Sequence, residues 1–408
     1  MINVIGLGYI GLPTALILAK SGKQVVGTDV KRDIVDSLRE KKVTLEEPGM
    51  AELLEKALEN EIEFKTHPVE SSFYIITVPT PYDVVSKKLD CTYVVEATKS
   101  VLDYAENDAI IVLESTVTPG AIDRYVRPII DEYTARTGNK INLAHAPERV
   151  MPGNIIYEIE NNARTIGADS EEIALKVKEV YKSFCKSEIN LTDIKTAEMT
   201  KVVENTFRDV NIAFANELAK ICRQGGVDVN EVIRISNMHP RVNILSPGPG
   251  VGGHCISVDP WFLVGEYPLL TELIYKARKI NDSMPEYVLK RAYDIMKKNG
   301  LKDFTRVGIY GLTYKENVDD VRNSPTMQML EYQKENLASP LKVYDPMVKN
   351  DIVDNQYHNL DKFLADVGFV IIMVAHDEII QNLDLLKGKL VLDTRNIDKN
   401  NKWGFESL

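Results

Sequence analysis

Short, almost continuous apolar segments alternate with longer amphipathic segments through the first 150 residues of the chain. The apolar segments have strand length and lie at 2–7, 24–29, 73–78, 109–114 and 141–145. Strands that are apolar on both faces are typical of a parallel sheet covered by helices on both sides. The pattern therefore predicts an α/β domain.

A stretch without glycine or proline occupies the middle of the chain. Between Thr192 and Gln224 apolar residues recur at helical spacing, which predicts one helix of roughly 30 residues and about 45 Å. A helix this long suits the linking of two domains better than a single core. A second helical region is expected at about 268–299. Apolar strands then return at 306–312, 341–346, 369–375 and 390–396, which predicts a second, smaller α/β sheet.

Composition and charge narrow the class of protein. Of the 408 residues, 44% are hydrophobic and 27% are charged, as in soluble globular proteins. We find no run of about 18 apolar residues that would predict a membrane span, and the opening MINVIGLG reads as a strand rather than a signal peptide. A net charge of −11 argues against a nucleic-acid partner. Four scattered cysteines predict neither a metal site nor disulfides, and favour a cytoplasmic protein.

A glycine motif directly follows the first predicted strand. Gly6, Gly8 and Gly11 form GxGxxG at the start of a predicted helix. Such glycines permit a tight turn and let the backbone approach a pyrophosphate at the helix N-terminus. Asp29 ends the second strand, where a carboxylate would bind a ribose 2′-hydroxyl and repel a 2′-phosphate. These residues predict an NAD site rather than an NADP site.

The predicted fold is therefore α/β, with two Rossmann-like parallel-sheet domains joined by a long central helix and a helical dimerisation region. We place the NAD-binding domain at 1–185, the central helical domain at 186–298 and the second Rossmann-like domain at 299–408. A chain of 408 residues is long enough for two or three domains.

One cysteine lies in a glycine-rich loop, PGPGVGGHCISVDPWFL at 247–263. Two interpretations compete at this point. The glycines shape a turn around a small filler residue, or they bring the backbone close to a ligand while the thiol of Cys255 reacts.

The whole chain resembles the UDP-sugar 6-dehydrogenases of the UDP-glucose/UDP-N-acetylmannosamine dehydrogenase family. The resemblance rests on motifs that occur in the order GLGYIGLP, VPTP at 78–81, ESTVTPG at 114–120, APERVMPG at 146–153, the helix with Lys201 and Asn205, GGHCISVDPWFL, and GLTYKENVDDVRNSP at 311–325. His254 and Val258 stand where glucose enzymes usually carry serine and lysine. This departure resembles the members that oxidise UDP-N-acetyl-D-mannosamine.

The resemblance implies a four-electron oxidation at C6 of the sugar, to UDP-N-acetyl-D-mannosaminuronate, with two NAD consumed. A thiol fits this reaction, because it can add to the intermediate aldehyde and be released by hydrolysis of a thioester. The resemblance assigns the thiol to Cys255. It implies that Lys201 and Asn205, which share a helix face, stabilise the oxyanion. Asp259 would hold Lys201 or a water and assist removal of the alcohol proton.

The resemblance also implies further catalytic and binding residues. Glu148 would activate the hydrolytic water, and Thr116 would position that water or the nicotinamide. Besides the glycine motif and Asp29, the NAD site would include Tyr9, Ile10, Thr80, Thr116 and Arg322. The UDP-sugar site would include Glu148, Arg149, Lys201, Asn205, Arg241, Gly252, Gly253, His254 and Lys315, with Arg241 reaching across a homodimer interface. No metal is expected.

Other functions remain open from the sequence. UDP-N-acetylglucosamine and UDP-glucose are alternative substrates, since related enzymes share much of the GGHC loop. A two-electron NAD-dependent dehydrogenase would explain the two sheets and the long helix, but it would leave Cys255, Glu148 and Asn205 without tasks. A catalytically silent protein that binds NAD and a UDP-sugar is the third alternative. The number of NADH formed per sugar separates the four-electron enzyme from a two-electron dehydrogenase, and turnover with any UDP-sugar would exclude the silent protein.

Overall fold

The structure is a computed structural model that describes residues 1–45, 47–336, 341–399 and 401–408. The chain divides into two compact units, Met1–Glu204 and Asn205–Leu408. The predicted division into three domains stays a prediction.

The first unit contains an eight-stranded sheet with the strand order β3-β2-β1-β4-β5-β6-β7-β8. Its strands are β1 (Ile2–Ile5), β2 (Val25–Thr28), β3 (Glu63–Lys65), β4 (Ser71–Ile76), β5 (Ala105–Leu113), β6 (Ile141–His145), β7 (Arg164–Ala168) and β8 (Ile189–Thr192). Neighbouring strands are parallel except for β6 and β7. The order 3-2-1-4-5-6 is that of dinucleotide-binding domains.

Helices pack against this sheet through apolar faces. They are α1 (Gly11–Lys20), α2 (Arg32–Arg39), α3 (Met50–Glu59), α4 (Thr92–Leu102), α5 (Arg127–Thr137), preceded by a π-helical turn at Ile122–Val126, α6 (Ile155–Asn161) and α7 (Glu171–Lys182). Helix α1 is buried along nearly its whole length, because it packs between the sheet and neighbouring helices. Its first turn is therefore held rigidly behind β1.

One continuous helix, α8 (Ile194–Gly225), contains the boundary between the two units. It has 32 residues, so it is about 48 Å long, as the sequence predicts. The helices α9 (Val229–Ser236), α10 (Asp259–Glu266), α11 (Glu272–Asp282) and α12 (Met284–Lys298) follow it.

The second unit contains a six-stranded parallel sheet with the order β11-β10-β9-β12-β13-β14. The strands are β9 (Val307–Tyr310), β10 (Lys342–Tyr344), β11 (Gln356–Tyr357), β12 (Phe369–Ile372), β13 (Leu390–Asp393) and β14 (Glu406–Ser407). The helices of this region are α13 (Pro325–Asn336), α14 (Leu360–Asp366) and α15 (Asp377–Gln381). The predicted fold of two parallel-sheet domains with a long central helix is confirmed.

The two sheets share a local arrangement at the end of their first strands. Gly6 follows β1 with φ of +92°, and Gly311 follows β9 with φ of +99°. In each case the next residue is a leucine, and its backbone N–H donates to an aspartate at the end of the adjacent strand. The donor–acceptor distances are 2.8 Å from Leu7 to Asp29 and 2.6 Å from Leu312 to Asp345. Each pair fixes a loop at the carboxyl edge of its sheet, where α/β proteins bind ligands.

Candidate active site

The turn between β1 and α1 is built around glycines. A Cβ on Gly11 would lie 1.8 Å from the carbonyl oxygen of Gly6 and 2.2 Å from Thr77 Oγ1. The Thr77 hydroxyl itself lies within hydrogen-bond distance of the carbonyls of Ile5 and Gly6, at 2.9 and 2.7 Å. Gly11 therefore cannot carry a side chain without displacing the turn.

Gly8 differs from these glycines, because a Cβ there would meet no protein atom within 4 Å. The exposed backbone of Gly8 faces open space beside the start of α1, where a pyrophosphate binds in this fold. Asp29 accepts hydrogen bonds only from backbone N–H groups of Leu7 and Lys31 among its described partners, and it stays half-buried. Its carboxylate keeps lone pairs for a ribose hydroxyl. The glycine turn and Asp29 therefore fit NAD.

Gly8→Ala is expected to weaken NAD binding by at least about 10-fold while the free energy of unfolding stays within about 0.5 kcal/mol of the wild type. The reason is that the added methyl group meets no protein atom but enters the space next to the pyrophosphate. Calorimetric titration measures the affinity for NAD, and denaturant unfolding measures the free energy of unfolding. Unchanged NAD affinity in a folded variant would contradict this placement of the cofactor.

Loops after β4, β5 and β6 reach the same carboxyl edge of the first sheet as the glycine turn, since β1, β4, β5 and β6 are successive neighbours. Thr80 follows β4 and Thr116 follows β5, and both are half-buried. Glu198 on α8 accepts hydrogen bonds from the backbone N–H groups of Gly120 and Ile122, the latter at 2.9 Å. The loop that carries Thr116 is thereby fixed to α8.

Glu148 follows β6 and belongs to a buried cluster of charges. One of its oxygens accepts from the N–H of Arg149 at 2.6 Å, and the other pairs with Arg164 Nη2. Arg164 Nη1 also pairs with Glu114, at 2.9 Å. Its guanidinium lies 4.8 Å from the ring centroid of Tyr181. The carboxylate of Glu148 is therefore held in one orientation.

The Glu114 carboxyl shares the charge of Arg164 with Glu148. Burial raises the pKa of Glu114 to about 7; Arg164 opposes this rise and Glu148 adds to it. Two carboxylates and one guanidinium are buried together. The cluster therefore retains a proton more readily than a solvent-exposed pair would.

Arg149 lies beside this cluster with its guanidinium held by protein acceptors. It donates to the Ala163 carbonyl and to Thr165 Oγ1, both at 2.9 Å, and it pairs with Glu204 of α8 at 2.6 Å. Its predicted contact with a UDP-sugar stays a prediction.

The second unit brings Asn205 and Asp259 together. Asn205 Nδ2 donates to Asp259 Oδ2 at 2.6 Å, and both side chains are buried. Lys201 lies one turn before Asn205 on the same face of α8 and is also buried. The amide of Asn205 is therefore fixed by a carboxylate 54 positions away, which leaves its orientation defined before any ligand binds.

Cys255 lies in a turn that leads into α10. Its carbonyl accepts from the N–H of Val258 at 3.0 Å and of Asp259 at 2.8 Å, so the turn continues directly into the helix. Of the four cysteines, Cys255 alone is exposed, whereas Cys91, Cys185 and Cys222 are buried. Burial raises the pKa of Cys91 to about 12. Cys255 is therefore the thiol that reagents and ligands can reach.

The glycines before Cys255 allow close packing within the second unit. A Cβ on Gly252 would lie 2.6 Å from Tyr314 Cβ, and a Cβ on Gly253 would lie 2.8 Å from the Tyr314 ring. Asn323 Nδ2 donates to the Gly253 carbonyl at 3.0 Å. These glycines are required because the loop lies against the segment after β9, a reason that the sequence alone did not reveal.

Basic residues collect at the carboxyl edge of the second sheet. Lys315 lies in the loop after β9, and Arg395 follows β13 with its Nη1 near Gly248. Arg322 is exposed and forms a bidentate ion pair with Asp320. Its Nε lies 2.9 and 3.0 Å from the two carboxylate oxygens, and its Nη2 lies 2.6 Å from Oδ2. This edge can attract an anionic group.

Two further predicted residues lie on exposed surface. Arg241 is exposed in the segment after α9. His254 is exposed next to Cys255. Although the residue is exposed, neighbouring protein atoms displace part of the solvent around the imidazole, and this desolvation, followed by the positive charge of Arg322, lowers the pKa of His254.

Sequence reasoning missed Glu114, Arg164, Glu198 and Arg395. Arg164 had a recognisable signal, since an arginine inside the apolar strand RTIGA must be paired when it is buried. Arg395 directly follows the strand LVLDT, at an edge where ligands bind. Tyr9 and Ile10 are half-buried in the glycine turn. The predicted roles of all site residues stay predictions.

Comparison with known proteins places the three parts of the chain in one family. The model of the UDP-glucose/GDP-mannose dehydrogenase family NAD-binding domain matches residues 1–185. Those of the central domain and the UDP-binding domain match residues 195–283 and 308–400. The predicted NAD cofactor is therefore confirmed by the family to which its domain belongs.

Relatives resemble the chain over nearly its whole length. A UDP-N-acetyl-D-mannosamine dehydrogenase of Methanocaldococcus jannaschii is 42% identical, over all of this chain and 95% of the relative. The structure of a UDP-D-ManNAc dehydrogenase from Pyrococcus horikoshii is 35% identical with a TM-score of 0.91, over all of this chain and 98% of that one. A UDP-N-acetyl-mannosamine dehydrogenase structure from Staphylococcus aureus is 40% identical with a TM-score of 0.86, over 97% and 95%. The chain belongs to the UDP-glucose/GDP-mannose dehydrogenase family.

Proposed function

We propose that the chain oxidises C6 of UDP-N-acetyl-D-mannosamine to the carboxylate and forms UDP-N-acetyl-D-mannosaminuronate with two NAD. The observation that carries this proposal is the exposed thiol of Cys255, one turn before α10, whose first residue Asp259 is hydrogen-bonded to Asn205. The names of the relatives support the acetamido sugar. UDP-N-acetylglucosamine and UDP-glucose remain the alternative substrates.

Different residues of the chain act in successive steps of the reaction. Bound NAD supplies a hydride acceptor, and removal of four electrons consumes two NAD in succession. Asp259 assists loss of the hydroxyl proton, while Lys201 and Asn205 stabilise negative charge on the C6 oxygen. Cys255 Sγ adds to the aldehyde carbon, which keeps the two-electron product from leaving.

Glu148 serves the last step. After the second oxidation the substrate is a thioester on Cys255, and water must add to its carbonyl carbon before the thiol can leave. Glu148 accepts the proton of that water, and its pairing with Arg164 keeps the carboxylate oriented. Thr116 positions the water or the nicotinamide. The products are the carboxylate and the regenerated thiol.

Different residues bind NAD and the UDP-sugar. Gly6, Gly8, Gly11 and Asp29 hold NAD, and Tyr9, Ile10, Thr80, Thr116 and Arg322 complete that site. Lys315 and Arg395 bind the diphosphate of the UDP-sugar. Glu148, Arg149, Arg241, Gly252, Gly253 and His254 contribute to the UDP-sugar site.

We further infer that the enzyme is a homodimer of the cytoplasm. Phe207, Phe214 and Ile221 recur every seven residues along α8, and each is more than half exposed. A seven-residue apolar stripe is covered well by the same stripe of a second copy, and Arg241 would then reach the partner's substrate.

Sedimentation equilibrium should give twice the chain mass of 45.9 kDa; a monomer at all concentrations would refute the dimer. Within the described parts of the chain, no helix is both long and apolar enough to cross a membrane.

A panel of UDP-sugars tests the function. The purified protein is incubated with NAD and each of UDP-N-acetyl-D-mannosamine, UDP-N-acetylglucosamine and UDP-glucose, and the NADH formed per sugar is counted. We expect two NADH per UDP-N-acetyl-D-mannosamine and the highest kcat/KM for this sugar. One NADH per sugar with release of a carbonyl product would indicate a two-electron dehydrogenase, and no turnover with any UDP-sugar would indicate a binding protein.

A further inference from the structure

The loop that follows β9, Leu312–Asn317, contains Lys315 and is fixed by residues from both neighbouring strands. We refer to it as the Lys315 loop. Asp345, at the end of β10, accepts from the N–H groups of Leu312 at 2.6 Å and Thr313 at 3.1 Å. Asp345 is buried. The start of the loop therefore has one position relative to the sheet.

His376 reaches the same loop from the other side, after β12. Its Nδ1 accepts from the N–H of Asn317 at 3.0 Å. Because Nδ1 is an acceptor, the proton of the neutral ring lies on Nε2, which faces Asp345 Oδ2 at 3.2 Å and Thr313 Oγ1 at 3.3 Å. A ring that is 1% exposed thus joins the two ends of the Lys315 loop.

The hydrogen bonds continue to Lys315 itself. The Thr313 hydroxyl donates to the Lys315 carbonyl at 2.9 Å, so the residue bound by His376 in turn holds the lysine backbone. On the far side Asn317 has φ of +58°, and its side chain accepts from the Asp377 N–H at 3.1 Å. The backbone on both sides of Lys315 is therefore tied to the segment His376–Asp377.

The corresponding aspartate of the first sheet is used differently. Asp29 is half-buried and can still accept a ribose hydroxyl, whereas Asp345 is buried under His376 and is bonded to four backbone N–H groups. Although burial opposes the effect, the hydrogen bonds from His376 and the backbone hold the pKa of Asp345 below its ordinary value. In the second sheet the aspartate at this position therefore makes its hydrogen bonds within the protein rather than to a ligand.

We propose that His376, together with Asp345, is a positioning residue that fixes the Lys315 loop so that the lysine ammonium meets the diphosphate of the UDP-sugar. The inference rests on the proposed function. Its chemical basis is that an ammonium on a flexible stem binds an anion more tightly when its backbone is already ordered. His376 acts only through the loop and contacts neither substrate nor NAD.

Substitutions of His376 separate the hydrogen bond at Nδ1, to Asn317, from the contacts of Nε2 with Asp345 and Thr313. His376→Ala removes all three and should weaken UDP binding by about 10-fold, since Asn317, Asp345 and Thr313 are then no longer joined through one ring. His376→Asn offers an oxygen in place of Nδ1, and His376→Gln offers an N–H in place of Nε2–H. Each amide should restore part of the affinity. Calorimetric titration with UDP measures this without turnover.

Steady-state kinetics give a second measure. KM for the UDP-sugar should rise by about 10-fold in His376→Ala, while kcat changes by less than about 3-fold and NAD affinity stays as in the wild type. Thr313→Val removes the hydroxyl that links His376 to the Lys315 carbonyl, and it should weaken UDP binding by about 3-fold even if His376→Ala fails to fold. His358→Ala is the control, because it also removes an imidazole from the second unit, but one whose exposed ring pairs with Asp351 rather than with the Lys315 loop.

The outcomes distinguish this proposal from the function on which it rests. A wild-type protein that does not bind UDP would overturn both. Wild-type UDP affinity in folded His376→Ala and Thr313→Val would overturn the positioning role alone. An equal loss of UDP and NAD affinity in His376→Ala would also overturn it, because it would reveal a general structural defect.

Discussion

Cys255→Ser is expected to abolish uronate formation, with kcat lower by at least about 10³-fold. A serine hydroxyl is a far weaker nucleophile than a thiolate, so the aldehyde carbon is not captured. The exposed position of Cys255 allows the substitution without a cavity or a buried unpaired hydroxyl. We therefore expect wild-type stability and unchanged affinity for NAD and UDP. Product analysis by mass spectrometry, with NADH measured in parallel, tests the expectation.

Cys91→Ser is the control for this experiment. Cys91 is buried and its pKa is raised by burial, so it does not react, and its substitution should leave kcat within about 3-fold. A slow substrate should leave an acyl adduct on the peptide that contains Cys255 and on no other cysteine. Uronate formation at the wild-type rate by Cys255→Ser would refute the covalent mechanism and leave the family assignment intact.

Arg164→Met should lower the free energy of unfolding at pH 8 by about 3–5 kcal/mol, because it leaves Glu114 and Glu148 buried without a countercharge. Denaturant unfolding followed by circular dichroism measures the loss. Arg127→Met removes an arginine whose pairs with Asp123 and Asp169 are partly exposed, and it should cost no more than about 1 kcal/mol.

The loss in Arg164→Met should depend on pH with a definite sign. In the wild type the pKa of Glu114 is raised from 4.5 to about 7. A carboxyl whose pKa is higher in the folded protein favours folding at low pH and ceases to do so as pH rises from 4.5 towards 7. Without Arg164 this preference is stronger, so the defect at pH 5.5 should be smaller than at pH 8. Adding Glu114→Gln should recover about 1–2 kcal/mol at pH 8. An equal loss at both pH values would show that the defect is one of packing.

Features that depend on local backbone geometry were predictable from the sequence. The turn at Gly6–Gly11 and the carboxylate of Asp29 follow from what a strand–turn–helix requires, and α8 follows from its composition. The buried cluster around Arg164 was not predictable, because Glu114, Glu148 and Arg164 belong to three segments that neighbour one another only in the folded sheet. Strand β7, which carries Arg164, is not among the strands that the apolar pattern predicts, and it pairs antiparallel with β6.

The site in the second unit was likewise predictable only in part. The presence of Cys255 in a pliable loop was evident, but the reason for Gly252 and Gly253 required the position of Tyr314. The resemblance implies that Asp259 holds Lys201 or a water, and the structure adds its hydrogen bond to Asn205. Pattern analysis identifies which residues are chemically unusual, whereas contacts across dozens of positions arise only from tertiary packing.

The continuity of α8 has a consequence for dissecting the protein. The division between Glu204 and Asn205 falls inside the helix, so truncation there would leave about three turns on one fragment and separate Lys201 from Asn205. Neither unit can thus be produced alone with the complete helix and both of these residues. Chimaeras between relatives should place their junction beyond Gly225 rather than at the boundary between the two compact units.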